Sequence, residues 1–160
     1  MRTSRAERPE DEGFTLIELA VVILIIGILL AVAIPTFLGV RRGAQNKAAQ
    51  ASVRNALVGA KALASEDGTY ATIALTAIQA AAPEIRIGAD ASTKPNEVSV
   101  DVKATTGEIV LVARAQTGEC YWLHDNLDDA GDAASLQYGK TSGADQCLAH
   151  GTQPSWATKW

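Results

Sequence analysis

Two periodicities and one long apolar run divide the chain. Residues 19–40 are 22 consecutive positions without a charge, mostly Val, Ile, Leu and Ala, interrupted by Gly27 and Pro35. At a rise of about 1.5 Å per residue such a run makes a helix of roughly 33 Å, enough to cross the hydrocarbon of a bilayer. Pro35 withholds the amide that would bond the Ala31 carbonyl, and Gly27 weakens the helix a little earlier, so both are expected to make this stretch easy to stretch or melt. Over residues 44–64 the pattern changes. Ala49, Val53, Ala56, Ala60 and Leu63 recur at spacings of three and four, while Arg42, Gln45, Gln50, Arg54 and Lys61 mostly occupy other faces. That spacing predicts an amphipathic helix continuous with the apolar run, about 50 residues and near 75 Å long. Asp67-Gly68 supplies the turn that stops it.

Beyond a possible short helix at 75–82 the period falls to two. Val98, Val100 and Val102 alternate with Ser99, Asp101 and Lys103; Thr106-Gly107 then turns into 109–115, and Thr117-Gly118 turns into 120–124. Three short antiparallel strands are expected, with the stripe of Ala49 to Leu63 covering their apolar face. Residues 126–160 read as loop-rich. The fold class is therefore α+β: a long N-terminal helix on a small antiparallel sheet.

Composition alone, 48% apolar and 20% charged, is that of an ordinary globular domain. The distribution of charge changes the picture. Arg41, Arg42, Lys47, Arg54 and Lys61 follow the apolar run with no acid among them, whereas residues 65–160 hold 13 acids against six bases. The chain reads as a basic stem with an acidic head, and its net charge of −4 offers no general attraction for nucleic acid. Cys120 and Cys147 both fall in the head, and a small domain exported behind an apolar segment is expected to pair them, closing the C-terminal loop.

Glu18 stands at the front of the apolar run, where an unpaired carboxylate costs roughly 2.5 to 3.5 kcal/mol on insertion scales. A chain cut after Gly13 would begin at Phe14, and its new amine would lie one helical turn from Glu18. Gly13-Phe14-Thr15-Leu16-Ile17-Glu18, the apolar run and Pro35 together resemble the processing and N-terminal segment of type IV pilins and the related pseudopilins. The resemblance is specific over residues 13–43, and beyond them it rests on architecture. It implies a lollipop-like subunit with a leader at 1–13, a transmembrane or filament-core half-helix at 14–40, an amphipathic half-helix at 41–64 and a head at 65–160. It implies that prepilin peptidase cuts after Gly13 and N-methylates Phe14. Glu18 would then pair with the Phe14 amine of a neighbour, and the chain would homopolymerise or copolymerise with other pilins at an inner-membrane assembly platform. The subunit would pass from the cytoplasmic membrane into a surface or periplasmic filament, with no enzymatic activity and no cofactor. Arg2, Arg5 and Arg8 face Arg41, Arg42 and Lys47 across the span, so a cytoplasmic leader follows from the resemblance and not from charge.

Other readings compete at particular residues. Ala31-Val32-Ala33 has the small-residue character of a signal-peptidase site, which would release a soluble domain beginning at Ile34. The matching alternative is an anchored or secreted domain with an enzymatic or ligand-binding head that never polymerises. Asp125, Asp128, Asp129 and Asp132 are calcium candidates, although their spacing does not match an EF-hand and a solvated turn is the plainer account. Cys120, His124 and Asp125 could be assembled into a nucleophilic set, against which stands a disulfide cysteine beside polar strand-end residues. The Trp and Tyr residues of the head lack the nearby bases of a stacking surface and read as core and tail anchors.

Overall fold

A computed structural model describes residues 13–127, 136–143 and 147–160. Helix α1, Leu16–Ala64, runs 49 residues without a break and passes through both Gly27 and Pro35. The described chain divides into two compact units, one reaching to Gly39 and the other Val40–Trp160.

The first unit is bare helix. Its Val and Ile residues are poor intrinsic helix formers, but in an apolar medium a helix is the local way to satisfy every main-chain group. Between positions 14 and 40 every large apolar side chain is at least 46% exposed. This part of α1 is long and apolar enough to cross a membrane. Beside Pro35, the Thr36 hydroxyl donates back to the Val32 carbonyl at 2.9 Å.

In the second unit α1 is amphipathic, as its spacing predicts, and buries Ala49, Val53, Ala56, Leu57, Gly59, Ala60 and Ala64. Leu63, expected in that stripe, is 38% exposed; it lies at the stripe's edge, where fully buried Ala64 and Tyr70 close the core instead. Small residues bring the helix close to its cover. A methyl group at Gly59 would come within 3.3 Å of the Ala81 side chain on α2, Leu75–Ala81.

The strands are β1 Arg86–Gly88, β2 Glu97–Lys103, β3 Glu108–Arg114, β4 Glu119–Asn126 and β5 Leu136–Ser142. They form one sheet in chain order, β1 parallel to β2 and the rest antiparallel, with Val100 beside Leu111, Leu111 beside Leu123 and Leu123 beside Tyr138. Gly107 and Gly118 sit at positive φ in the two turns, which favours glycine there. The sequence foresees β2, β3 and β4 and misses the two outer strands. The loop-rich segment 126–160 thus contains one strand, and Cys120 stands near the start of β4. β5 is hidden because Gly139 reads as a breaker. In the sheet it is a point of close approach, since any side chain there would collide with Pro154.

Both faces of the sheet are covered. Val98, Val100, Ile109, Leu111, Ala113, Tyr121 and Leu123 face the helical stripe. Val110, Val112, Cys120 and Trp122 cluster with Cys147, Ala149 and Trp156 of the C-terminal segment. This two-sided burial explains the unbroken apolar run in the middle of β3. The outer strands are also closed off. Gln79 of α2 accepts from the Ile87 amide at 2.8 Å and donates to the Ile85 carbonyl at 2.6 Å beside β1. On β5, Tyr138 and Ala157 exchange two main-chain bonds of 2.7 and 2.8 Å.

Cys120 and Cys147 are disulfide-bonded, with Cα atoms 5.3 Å apart and the two residues 27 positions apart in sequence. The bridge ties the C-terminal segment to β4. Replacing both cysteines by alanine should lower stability by about 2 to 4 kcal/mol. Hydrogen exchange should quicken at 147–160 while amides of residues 49–64 stay protected, which exchange mass spectrometry of the purified protein can measure.

Candidate functional site

Helix α1 begins directly after Thr15, and its first turn carries the chain's most informative geometry. Glu18 Oε2 accepts from the Thr15 amide at 2.9 Å and from the Thr15 hydroxyl at 2.6 Å. Thr15 Oγ1 in turn accepts from the Glu18 amide at 3.3 Å. These reciprocal bonds form a capping box, which satisfies amides that the first helical turn leaves without partners. Sequence reasoning weighed Glu18 only as a charge partner and missed Thr15. The signal was present, since Thr-x-x-Glu before an apolar run is the pattern of such a box.

Phe14 is 83% exposed, and among the described residues nothing beyond the chain neighbours lies within 4 Å of the position a Gly13 side chain would take. Phe14, Ile17, Glu18, Val21 and Val22 border one shallow apolar hollow. Gly13, Phe14 and Glu18 thus lie at a helix start that no described residue covers. Gly27 and Pro35 lie farther along the same bare helix.

Polar groups of the head serve its interior. Asp125, 1% exposed, receives Lys61 Nζ of α1 at 3.1 Å and a hydrogen bond from the Tyr70 hydroxyl. Burial first, and Asp125 second, push the Tyr70 phenol well above its ordinary value. This corrects the calcium candidate at Asp125: its carboxylate already faces an ammonium, the wrong neighbour for a divalent cation. Asp128, Asp129 and Asp132 lie outside the described residues. Among the described residues no group of three or more His, Cys, Asp or Glu side chains is placed to hold a metal. Nor can Cys120 be a nucleophile beside His124, because its sulfur is bonded to Cys147.

The aromatic residues anchor the tail. Trp160 packs edge-on to Tyr138 at 4.8 Å and to Tyr121 at 5.7 Å, and Arg54 of α1 lies over its ring at 4.9 Å. At the start of β4, Glu119 accepts from Lys140 at 2.7 Å, from the Tyr121 hydroxyl at 2.8 Å and from Asn46 of α1 at 2.9 Å. The Lys140 bond foremost holds the Glu119 carboxyl below its usual range.

Residues 9–34 match the family described as the prokaryotic N-terminal methylation motif. Among curated proteins, the type IV major pilin protein PilA of Myxococcus xanthus (strain DK1622) is 39% identical over 74 residues. That stretch is 46% of this chain and 33% of the relative, so the match spans about a third of the relative's length. No solved structure matches the chain. The motif and the relative both support the resemblance to type IV pilins and pseudopilins.

Burial, more than the Glu119 carboxylate, pushes the Tyr121 phenol up to about 12. A raised phenol contributes stability below its unfolded pKa of about 10 and loses that contribution as pH rises through its folded value. Near-ultraviolet titration of the folded protein should therefore find Tyr121, like Tyr70, still un-ionised at pH 11, and Tyr121→Phe should remove the earlier of these two late phases.

Proposed function

We propose that this chain is a structural subunit of a type IV pilus-like filament, cleaved after Gly13, N-methylated at Phe14 and polymerised through α1. Residues 1–13 act as leader, 14–40 as the membrane and then filament-core half of the helix, 41–64 as its amphipathic half and 65–160 as the head. The observation that carries this is Glu18 itself: an acid in the first turn of a helix otherwise bare of charge to position 40, one turn from a Gly-Phe junction against which no described residue packs.

Cutting after Gly13 would leave an ammonium on Phe14 beside a helix N-terminus, whose dipole disfavours positive charge. Methylation keeps that charge. In an apolar surround both ammonium and carboxylate are costly alone, and a pair between neighbouring subunits relieves both while setting the axial register of their helices. Both Thr15 bonds to Glu18 use Oε2, so the capping box and an ammonium contact at Oε1 are compatible. Chemistry plays no part in this function: prepilin peptidase and an inner-membrane platform are the partners it needs, and the chain would move from the cytoplasmic membrane into a surface or periplasmic fibre.

Intact-mass analysis of the mature protein should find a chain beginning at Phe14 with one added methyl group. A mature start at Met1 or Ile34 would refute the proposal and favour the anchored or secreted alternative.

The two roles of Glu18 separate by substitution. Glu18→Gln keeps a side chain that can close a capping box and loses the charge, whereas Thr15→Val loses the cap and keeps the charge. With no native subunit present, Glu18→Leu and Glu18→Gln should be cut normally yet incorporate into fibres poorly. Thr15→Val should still assemble, with its helix start destabilised by about 1 kcal/mol. Wild-type fibre levels from Glu18→Gln, scored in sheared surface fractions, would eliminate charge pairing.

A further inference from the structure

The five cations between Arg41 and Lys61 look alike in the sequence and separate into two groups in the structure. Arg54 lies over the Trp160 ring, and Lys61 meets buried Asp125. Arg41, Arg42 and Lys47 are exposed, and among the described residues none of them has an ion-pair partner. These three are also the cations that come first after the uncharged run of residues 19–40.

Their angular placement says what kind of partner they fit. At about 100° per residue, Arg41, Arg42 and Lys47 point in directions roughly 100°, 140° and 120° apart, so they ring the helix. A docked protein face would be met by cations gathered on one side. A headgroup layer meets cations on several sides of the helix, interrupted where Gln45 and Asn46 bond Gln116, Thr117 and Glu119 of the β3–β4 region. Their axial spread is about 9 Å by the helical rise, close to the depth of one headgroup layer once the reach of long side chains is added. We infer that Arg41, Arg42 and Lys47 form a collar that binds the phosphate headgroups of anionic phospholipids around the unassembled subunit, an inference that rests on the membrane-spanning part of the proposed function. The collar would fix how far α1 is inserted, and a subunit leaving the membrane would have to exchange these phosphates for other partners.

The test uses the full chain reconstituted in phosphatidylcholine vesicles that contain a trace of chain-spin-labelled phosphatidylglycerol or, in parallel, chain-spin-labelled phosphatidylcholine. The motionally restricted spectral component reports lipid held against the protein. The wild-type chain should restrict phosphatidylglycerol about threefold more than phosphatidylcholine at low salt, and the preference should shrink as salt is raised. The triple variant R41Q/R42Q/K47Q should lose the preference while restricting as much lipid in total, and R54Q should keep it. Equal restriction of both lipids by the wild-type chain, or a preference that survives the triple substitution, overturns the collar alone. A chain that restricts neither lipid does not insert, and that result overturns the membrane reading as well. If the wild-type chain shows no preference and the triple variant instead loses cross-links between subunits, the cations serve the acidic head of a second copy, and the lipid assignment is wrong.

Discussion

An apolar helix uncovered on every side is the constraint from which the rest of the molecule follows. From position 14 to position 40 no element of the described chain covers α1, and its large side chains stand open all round. Their exposure to water would be prohibitive at about 25 cal/mol for each Å². Under the proposed function that cover is lipid before assembly and other copies of the same helix after it. Both are apolar, so transfer between them costs little in solvation, and a few polar groups decide which is occupied. Glu18 is the polar group within the run's first turn, and the cations that follow Val40 are those nearest its other end.

The head answers a different constraint. A small sheet packed on one helix would leave its second face wet, and this one covers that face with its own C-terminal segment, fastened by the disulfide, by Trp156 and by Trp160. Helix residues in turn are shared out as head anchors. Lys61 holds Asp125, Arg54 holds the tail aromatics, and Asn46 holds Glu119. Two of the five cations in what looks from composition like a uniformly basic stem are thereby absorbed into the packing of the head.

Periodicity sufficed where one pattern ran long enough to dominate. The extent of α1, the buried stripe at Ala49, Val53, Ala56 and Ala60, and the alternation of β2 were legible, as was the cysteine pair. What escaped depends on contacts between distant residues. β1 is three residues long and paired in parallel, too short to show a period. β5 carries a glycine whose purpose is visible only once Pro154 lies against it. Asp125 looked like part of an acidic run because its partners, Lys61 and Tyr70, are 64 and 55 positions away in sequence. At the helix start the case was reversed: Glu18 was picked out on electrostatic grounds while the local partner Thr15, three positions before it, was passed over.

The hydrogen-bonding rims of the sheet carry a last consequence. An open strand rim is a template on which any extended chain can add itself, and the crowded space between exported subunits would offer many such chains. Here Gln79 occupies the rim beside β1 with a side-chain amide that imitates a neighbouring strand, and Ala157 does the same for Tyr138 with its own main chain. Strand-by-strand accretion is blunted at both margins of the head. In the proposed filament, union between copies is left to surfaces whose geometry is that of helices, so a misfolded head that released either guard would acquire a second, disordered way to stick.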